Sequence, residues 1–556
     1  MQRDSRDASS TRWSAPSWLW PVLVGVILVV AGVLRFWALG RQSLWFDELF
    51  SANAAMYGPS VAIKVTAQDT NPPLYYVLQA LLMPMLGRTE WGLRAFSAAI
   101  GVLTTGVVYL AGRKLFDRAT GTWAAALFAV ALLPLQYAQE ARMYSLLMFF
   151  AALTLWLFAR LVEKPNLARA ALLGLALAGL AYTHVYGYMA APLLLVPVVL
   201  VPRLRRRIGK LMFVTYPIAA VLFFPWALVI PTQIAIVRGQ VAKGNWWMLP
   251  VDSVTHAFLA NLVAFAPGQA GLAAMVFMAL LIVGLAAPVV WIEAFAAGPY
   301  DPAEDDAPAV GGSPAASPES ANETLRDEST EASVDAEAKP ADEPRAGEIV
   351  TEGDLLWVLL TLAVVPMLAG LIISKYVTPI ATVRNSLVCL PAIYILVARG
   401  GTKLHWPGTV ALASLLLFGV LQLPVLYSDT SKGEWRQATE IVLSQPKTGV
   451  LTQEWESDFN LEVYSKLIKG ESWMHSMWAD HLNAKPTPTG LIINSNPYYH
   501  IPKFIWQWDR IWVVSMTTKS SVADYMDHAA GWQLTETRDL GKPVMRLYTR
   551  VDAPKK

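Results

Sequence analysis

Long apolar runs separated by short polar turns dominate the first three quarters of the chain. A spanning helix needs about 20 consecutive apolar residues. Suitable runs lie near 17–39, 91–112, 122–138, 143–159, 168–183, 186–202, 211–231, 271–292, 355–373, 379–398 and 404–424. The pattern predicts about eleven transmembrane helices, the first a retained anchor with no small-residue cleavage site behind it. After residue 425 the period changes. "EWRQATEIVLSQ" has helical spacing, while "TGVLTQE", "GLIINS", "DRIWVVSM" and "PVMRLYTRV" are short apolar runs bounded by Gly, Pro and Asp, the pattern of strands. The chain reads as an α-helical polytopic membrane protein with a small C-terminal α/β domain.

Basic residues set the expected orientation. Arg3 and Arg6 precede the first span; Arg113, Lys114 and Arg118 lie between the second and third, and Arg160, Lys164 and Arg169 between the fourth and fifth. "RLRRRIGK" at 203–210 follows the sixth, and Arg399 and Lys403 follow the tenth. All fall on one side if the N-terminus, 1–16, is cytoplasmic. The run "PPLYYVLQALLMPML", 72–86, would break that agreement as a span, so we read it as a helix along the outer face, its prolines in the first turn. This reading makes 40–90 the first outer loop of a membrane module, 17–292, continued by 355–424. It leaves 425–556 outside, and the protein in the plasma (inner) membrane.

Composition agrees: 55% of residues are hydrophobic and only 15% charged, against roughly 25% charged in an ordinary soluble domain. The net charge of +2 hides a segregation. Within 293–354, the stretch 301–348 carries fourteen acidic and three basic residues, a net of −11, and almost no large apolar side chain. Such a segment cannot bury enough surface to offset its ordering entropy and is expected to be a disordered cytoplasmic loop. The single cysteine, Cys389, excludes an intramolecular disulfide. No glycine-rich phosphate loop follows any C-terminal strand, so no nucleotide cofactor is expected, and nothing points to nucleic acid.

The polar residues within this apolar frame collect on the outer side. "SLWFDELF" places Asp47 and Glu48 in the first outer loop, ahead of "QDTNPPLYY" with Asn71 and Tyr75. "LQYAQEARMYSL" supplies Glu140, Arg142 and Tyr144 at the next outer turn, and "YTHVYGY" supplies His184. "SKYVTPIATVRN" adds Lys375 and Arg384; the loop at 232–253 adds Arg238, Lys243 and Trp246–Trp247, most simply interfacial anchors. Carboxylates and cations at one membrane face suit an enzyme acting on a lipid-linked phosphate substrate. Each residue also has a structural reading. Asp47 suits a helix cap, Glu140 and Arg142 suit a simple pair, Lys375 and Arg384 suit snorkelling to the interface, and His184 suits a local hydrogen bond.

The D-E pair, "NPPLYY", "QEARMY" and a C-terminal domain opening with "EWRQA", in this order, resemble the GT-C class of membrane glycosyltransferases. The likeness is to bacterial relatives of protein O-mannosyltransferases and of the aminoarabinose transferases that modify lipid A. It covers about 15–400 in layout and is sharpest over 43–76 and 91–146. The acidic insert is not part of that pattern, and 384–385 reads "RN" where "RY" is expected.

The resemblance implies a GT-C fold and a sugar donor on polyprenyl phosphate, with membrane lipids around it and a glycolipid or protein acceptor. It implies inversion at the anomeric carbon, catalysis by Asp47 as general base with Glu48 beside it, and substrate contacts from Asn71, Tyr75, Glu140, Arg142, Tyr144, Lys375 and Arg384, with Arg142, Lys375 and Arg384 facing the phosphate. A divalent metal is possible, with Glu48, Glu140 and His184 as candidate ligands. The alternative is a transporter or flippase for lipid-linked sugars. Such proteins often show internal repeats and charges at mid-membrane, and here we find no clear repeat and the charges sit at the outer edge.

Overall fold

A computed structural model describes residues 16–242, 252–267, 271–296, 350–377, 380–429, 431–445, 448–469, 492–494, 505–506 and 508–551. The acidic stretch over 297–349 and the Trp246–Trp247 pair lie outside these residues. Helix α1, Leu19–Phe36, is followed by three helices in the first loop: α2, Phe46–Met56; α3, Pro59–Ala67; and α4, Leu74–Leu86. Then come α5, Glu90–Leu115; α6, Arg118–Val130; α7, Leu132–Ala138; α8, Tyr144–Glu163; and α9, Leu167–Thr183. After α10, Val185–Ala190, and α11, Leu195–Leu200, the chain forms α12, Pro202–Ala227; α13, Ile230–Ala242; α14, Val254–Ala264; and α15, Gly271–Ala296. The second membrane part holds α16, Glu352–Tyr376; α17, Leu390–Lys403; α18, His405–Leu421; and α19, Leu423–Ser428.

Each of the eleven apolar runs falls on helix. Among the described residues, seven helices are long and apolar enough to cross a membrane, eight if α6 and α7 form one bent span. The remaining runs fall on helices of 10–17 described residues, Leu167–Thr183, Val185–Leu200 and Gly271–Ala286, so length and composition alone do not reach eleven. The protein is multi-pass. Helix α4 has 13 residues, about 20 Å at 1.5 Å per residue, too short for a 30 Å hydrocarbon core.

Polar caps start the long helices as the sequence dictates. Thr89, Asp117 and Asn166 each accept a hydrogen bond from the backbone N–H three residues on, and Thr351 with Asp354 forms a capping box. The 60° bend between α6 and α7 leaves carbonyls at the end of α6 without helical partners. Arg35, fully buried in the first span, donates to the Ala129 carbonyl at 3.0 Å and to that of Phe128 at 3.3 Å. Gly101 makes room for it, since a Cβ there would lie 2.8 Å from Arg35 Nε.

The basic loops meet on one face. Arg399 pairs with Asp117 at 2.6 Å and with Glu352 at 2.5 Å, Arg203 lies 3.5 Å from Asp354, and Lys114 pairs with Glu163. The sequence-predicted cytoplasmic loops are therefore neighbours in space, at the opposite ends of their helices from Asp47 and Glu140.

The C-terminal domain comprises α20, Trp435–Ser444; β1, Gly449–Thr452; α21, Trp455–Lys469; β2, Ile492–Asn494; β3, Arg510–Ser515; α22, Ser521–His528; β4, Trp532–Asp539; and β5, Val544–Arg550. Its sheet has the order β2-β1-β3-β5-β4, with β1 parallel to β2 and β3 and the other pairs antiparallel. Strand alternation divides β3. Trp512 and Val514 join a core with α20, α21 and the α2 residues Leu49 and Ala52, whereas Ile511 and Val513 face a second core with Val522 and Met526. One sheet face is thus continuous with the first loop of the membrane module. Strand β4 was not expected from sequence, because most of its side chains are exposed and lack an apolar alternation.

Candidate functional site

Asp47 and Glu48 occupy the first turn of α2, where free N–H groups favour carboxylates. One step along a helix turns the side chain to a different neighbourhood, and the two acids part company. Asp47 keeps its side chain 17% accessible and accepts from Arg384 Nη1 at 2.7 Å; Arg142 Nη2 lies 4.0 Å away. Arg142 is fixed by its Nη1, which donates to the Asp47 carbonyl at 3.2 Å and to the Ser51 and Tyr76 hydroxyls at 3.3 Å. The Arg384 guanidinium also lies over the Trp45 ring, 5.9 Å from its centroid.

Glu48 is fully buried. Its two oxygens accept from Arg94 Nε at 2.7 Å and Nη2 at 2.8 Å, from the Ala141 N–H at 2.9 Å, and from Lys432 at 3.1 Å. Burial alone would raise this carboxyl, but Arg94, Lys432 and the Ala141 N–H outweigh it and hold it near 2. Arg94 spends its remaining hydrogens on the carbonyls of Leu39, Gln42 and Ser43, so one guanidinium ties α5 to the whole turn preceding α2. Lys432 also lies 3.6 Å from Glu140. Burial raises the Glu140 carboxyl against the pull of Lys432, and the nearby Glu48 and Asp47 charges act in the same direction as burial.

Tyr144 is buried behind Arg142, whose guanidinium lies 6.0 Å from its ring centroid. Tyr75 bonds Ser97 at 3.0 Å, and Ser97 donates to the Arg142 carbonyl, which puts Tyr75 one layer back. Asn71 donates to Thr70 at 3.0 Å and is nearly buried. Lys375 is exposed at the end of α16, its ammonium 5.5 Å from the Tyr376 ring, and among the described residues it makes no ion pair. It is not brought to Asp47.

A metal at Glu48, Glu140 and His184 does not fit this arrangement. Arg94 and Lys432 already supply positive charge to the two glutamates, and His184 Nδ1 accepts from the Tyr186 N–H at 3.1 Å. Among the described residues no three His, Cys, Asp or Glu side chains cluster as metal ligands.

Sequence reasoning missed four charged residues here. Arg94 carried a signal, being a lone arginine inside an apolar span. Lys432 did not, because nothing in "DTSKGEWRQA" indicates that it folds back 384 positions onto Glu48. Arg436, in the same connection, pairs with Glu90 at 2.6 Å. Asp69, in the loop before Asn71, is raised by burial despite the Thr70 N–H it accepts and the pull of Arg142.

Removing one partner of a buried pair leaves an uncompensated charge and costs roughly 3–5 kcal/mol. Arg94→Met should therefore lower thermal stability in detergent severely, and Lys432→Met less, since Arg94 still holds Glu48. Glu48 sits below the roughly 4.3 of an unfolded glutamate, so its contribution is present above about pH 4.3 and is lost as the pH falls toward 2. An unfolding series over that range in wild type and Glu48→Gln measures it: the variant should lose much of the acid-side slope.

Residues 70–229 match the family model of the dolichyl-phosphate-mannose-protein mannosyltransferases. The structure of ArnT from Cupriavidus metallidurans in the apo state aligns with a TM-score of 0.58 at 13% identity, over 95% of this chain and 98% of that one. The same protein bound to undecaprenyl phosphate aligns with a TM-score of 0.55 at 15% identity, over 96% and 98%. No curated protein matches by sequence. The family match spans "NPPLYY" and "QEARMY", and the expected fold holds: this is a multi-pass membrane protein with the GT-C fold of the mannosyltransferase and ArnT type.

Proposed function

We propose that the protein is a membrane glycosyltransferase that moves a sugar from a polyprenyl-phosphate donor to an acceptor hydroxyl at the outer face of the plasma membrane. The observation that carries this reading is the accessible Asp47 carboxylate held between two guanidinium groups, Arg384 at 2.7 Å and Arg142 at 4.0 Å. Transfer needs a base for the acceptor proton and positive charge for the departing phosphate. Both stand side by side here. The fold likeness to a protein solved with undecaprenyl phosphate supports the choice of carrier.

The chemistry follows from these groups. Arginine is suited to phosphate oxygens, and a bound phosphodiester competes with Asp47 for Arg384 and Arg142. As the guanidinium groups turn to the phosphate, the Asp47 carboxylate is released to receive the acceptor's proton. The acceptor hydroxyl gives its proton to the Asp47 carboxylate while its oxygen bonds to the anomeric carbon. The carbon–oxygen bond to phosphate breaks, its electron pair leaves on the phosphate oxygen, and the arginines carry the added charge. A single displacement of this kind inverts the anomeric centre. Glu48, with its lone pairs engaged by Arg94, Lys432 and Ala141, serves as a positioning residue.

The reading also sets the membrane sidedness: N-terminus and acidic stretch in the cytoplasm, and 425–556 outside. Protease added to intact spheroplasts should clip the C-terminal domain and spare 301–348; cleavage within 301–348 would reverse the assignment. The functional test is Asp47→Asn, which keeps the shape and removes the base. A well-placed base contributes about 10²–10⁴-fold, so transfer in reconstituted membranes should fall by about that factor while undecaprenyl phosphate still binds. Mass spectrometry of envelope glycolipids and glycoproteins, from cells with wild type, Asp47→Asn or no protein, identifies the product to follow. Near-normal transfer by Asp47→Asn would remove the base from the account.

A further inference from the structure

Arg384 makes the shortest contact to Asp47, yet it stands on the connection between α16 and α17 and not inside a long helix. A long side chain meets its partner at one fixed place only when its own backbone is held by a supporting layer. Two side chains in this connection supply that layer. The Ser374 hydroxyl, buried in the last turn of α16, accepts from the Ile380 N–H at 2.9 Å and the Ala381 N–H at 3.0 Å. The side-chain amide of Asn385, the neighbour of Arg384, donates to the Ile380 carbonyl at 2.6 Å, and its backbone N–H donates to the Thr382 carbonyl at 3.1 Å. Asn385 also hydrogen-bonds the His184 ring, which ties the connection to the turn between α9 and α10. Ile380 is thus gripped on both sides, its N–H from α16 and its carbonyl from the residue after Arg384.

These contacts are not the ones the residue types make by default. A helical serine or threonine commonly bonds back to the fourth carbonyl before it, as Thr361, Thr409 and Ser414 do here. Ser374 instead takes N–H groups six and seven positions ahead. At 385 the sequence reads asparagine where tyrosine is expected. An amide on a short side chain can reach the carbonyl five positions back, whereas the only donor of a tyrosine side chain is a hydroxyl at the far end of its ring. Among the described residues neither Ser374 nor Asn385 hydrogen-bonds to Asp47 or Arg142, so any influence on the site runs through Arg384.

We propose that Ser374 and Asn385 are positioning residues for Arg384, locking the connection so that its guanidinium meets first Asp47 and then the phosphate of the lipid carrier. The proposal deepens the glycosyltransferase reading and rests on it, through the phosphate role of Arg384.

The test titrates undecaprenyl phosphate against full-length protein in nanodiscs. Arg384→Met should weaken binding about tenfold or more, the value of a hydrogen bond between charged groups. Asn385→Ala and Ser374→Ala should each weaken it about threefold to tenfold, the value of a neutral hydrogen bond. Ser374→Thr keeps the hydroxyl and should bind as wild type does. A double-mutant cycle separates positioning from a general structural role. Once the guanidinium is gone, Asn385→Ala should weaken binding no further, even though any loss of thermal stability persists. If Ser374→Ala fails to fold, the half-buried Asn385 carries the comparison. Wild-type affinity in Asn385→Ala, or a loss that persists undiminished beside Arg384→Met, overturns the proposal while leaving Arg384 its phosphate. Wild-type affinity in Arg384→Met overturns the phosphate role itself, so the two failures are told apart.

Discussion

A guanidinium and a carboxylate taken wholly out of water, Arg94 and Glu48, hold this structure's working face in place. The pair is bidentate, and the arginine's remaining donors secure three carbonyls of the turn before α2, those of Leu39, Gln42 and Ser43. Two buried charges this close are costly unless every lone pair and hydrogen is used. Here Ala141 and Lys432 complete the set on Glu48. Four separate stretches of chain therefore converge on one carboxylate: the first loop, α5, the turn before α8 and the entrance to the C-terminal domain.

That convergence explains why the C-terminal domain belongs to the site and is not a module on a tether. Lys432 enters between Glu48 and Glu140, Arg436 pairs with Glu90, and the Tyr464 hydroxyl accepts from the Leu44 N–H. Behind these polar ties, Trp435, Tyr464 and Trp512 share a core with Leu44, Leu49 and Ala52. The residue next to Glu48 is Asp47, and its neighbours Arg142 and Arg384 come from the turn before α8 and the segment leading into α17. Fixing Glu48 fixes the start of α2, and with it the direction in which Asp47 faces its two arginines.

Much of this was legible in the chain because membrane folding leaves strong local traces. Apolar runs located helices, and the positive clusters sorted their ends into the two groups that meet in space as Arg399–Asp117 and Arg203–Asp354 on one side and Asp47–Arg384 on the other. The D-E pair, Glu140, Arg142 and Arg384 were all visible as costly polar groups in an apolar frame. The departure "RN" at 384–385 does not displace Arg384, which makes the shortest contact to Asp47. The division of labour between Asp47 and Glu48 was not legible, since adjacent letters do not reveal which way each side chain turns. Nor was Lys432, whose partners lie hundreds of residues away, or the retreat of Lys375 to an exposed helix end. Strand β4 escaped notice for a related reason: its place is set by pairing with β5, not by its own pattern.

In the proposed mechanism Glu48 acts through Asp47, the one positioning and the other taking the proton. A double-mutant cycle on transfer rate, using folded Asp47→Asn, Glu48→Gln and the double variant, tests it most directly. If Glu48 works by holding Asp47, the second substitution adds little once the base is gone, and the double variant transfers about as slowly as Asp47→Asn alone. Losses that multiply would show that Glu48 contributes to the chemistry independently, and would contradict the account.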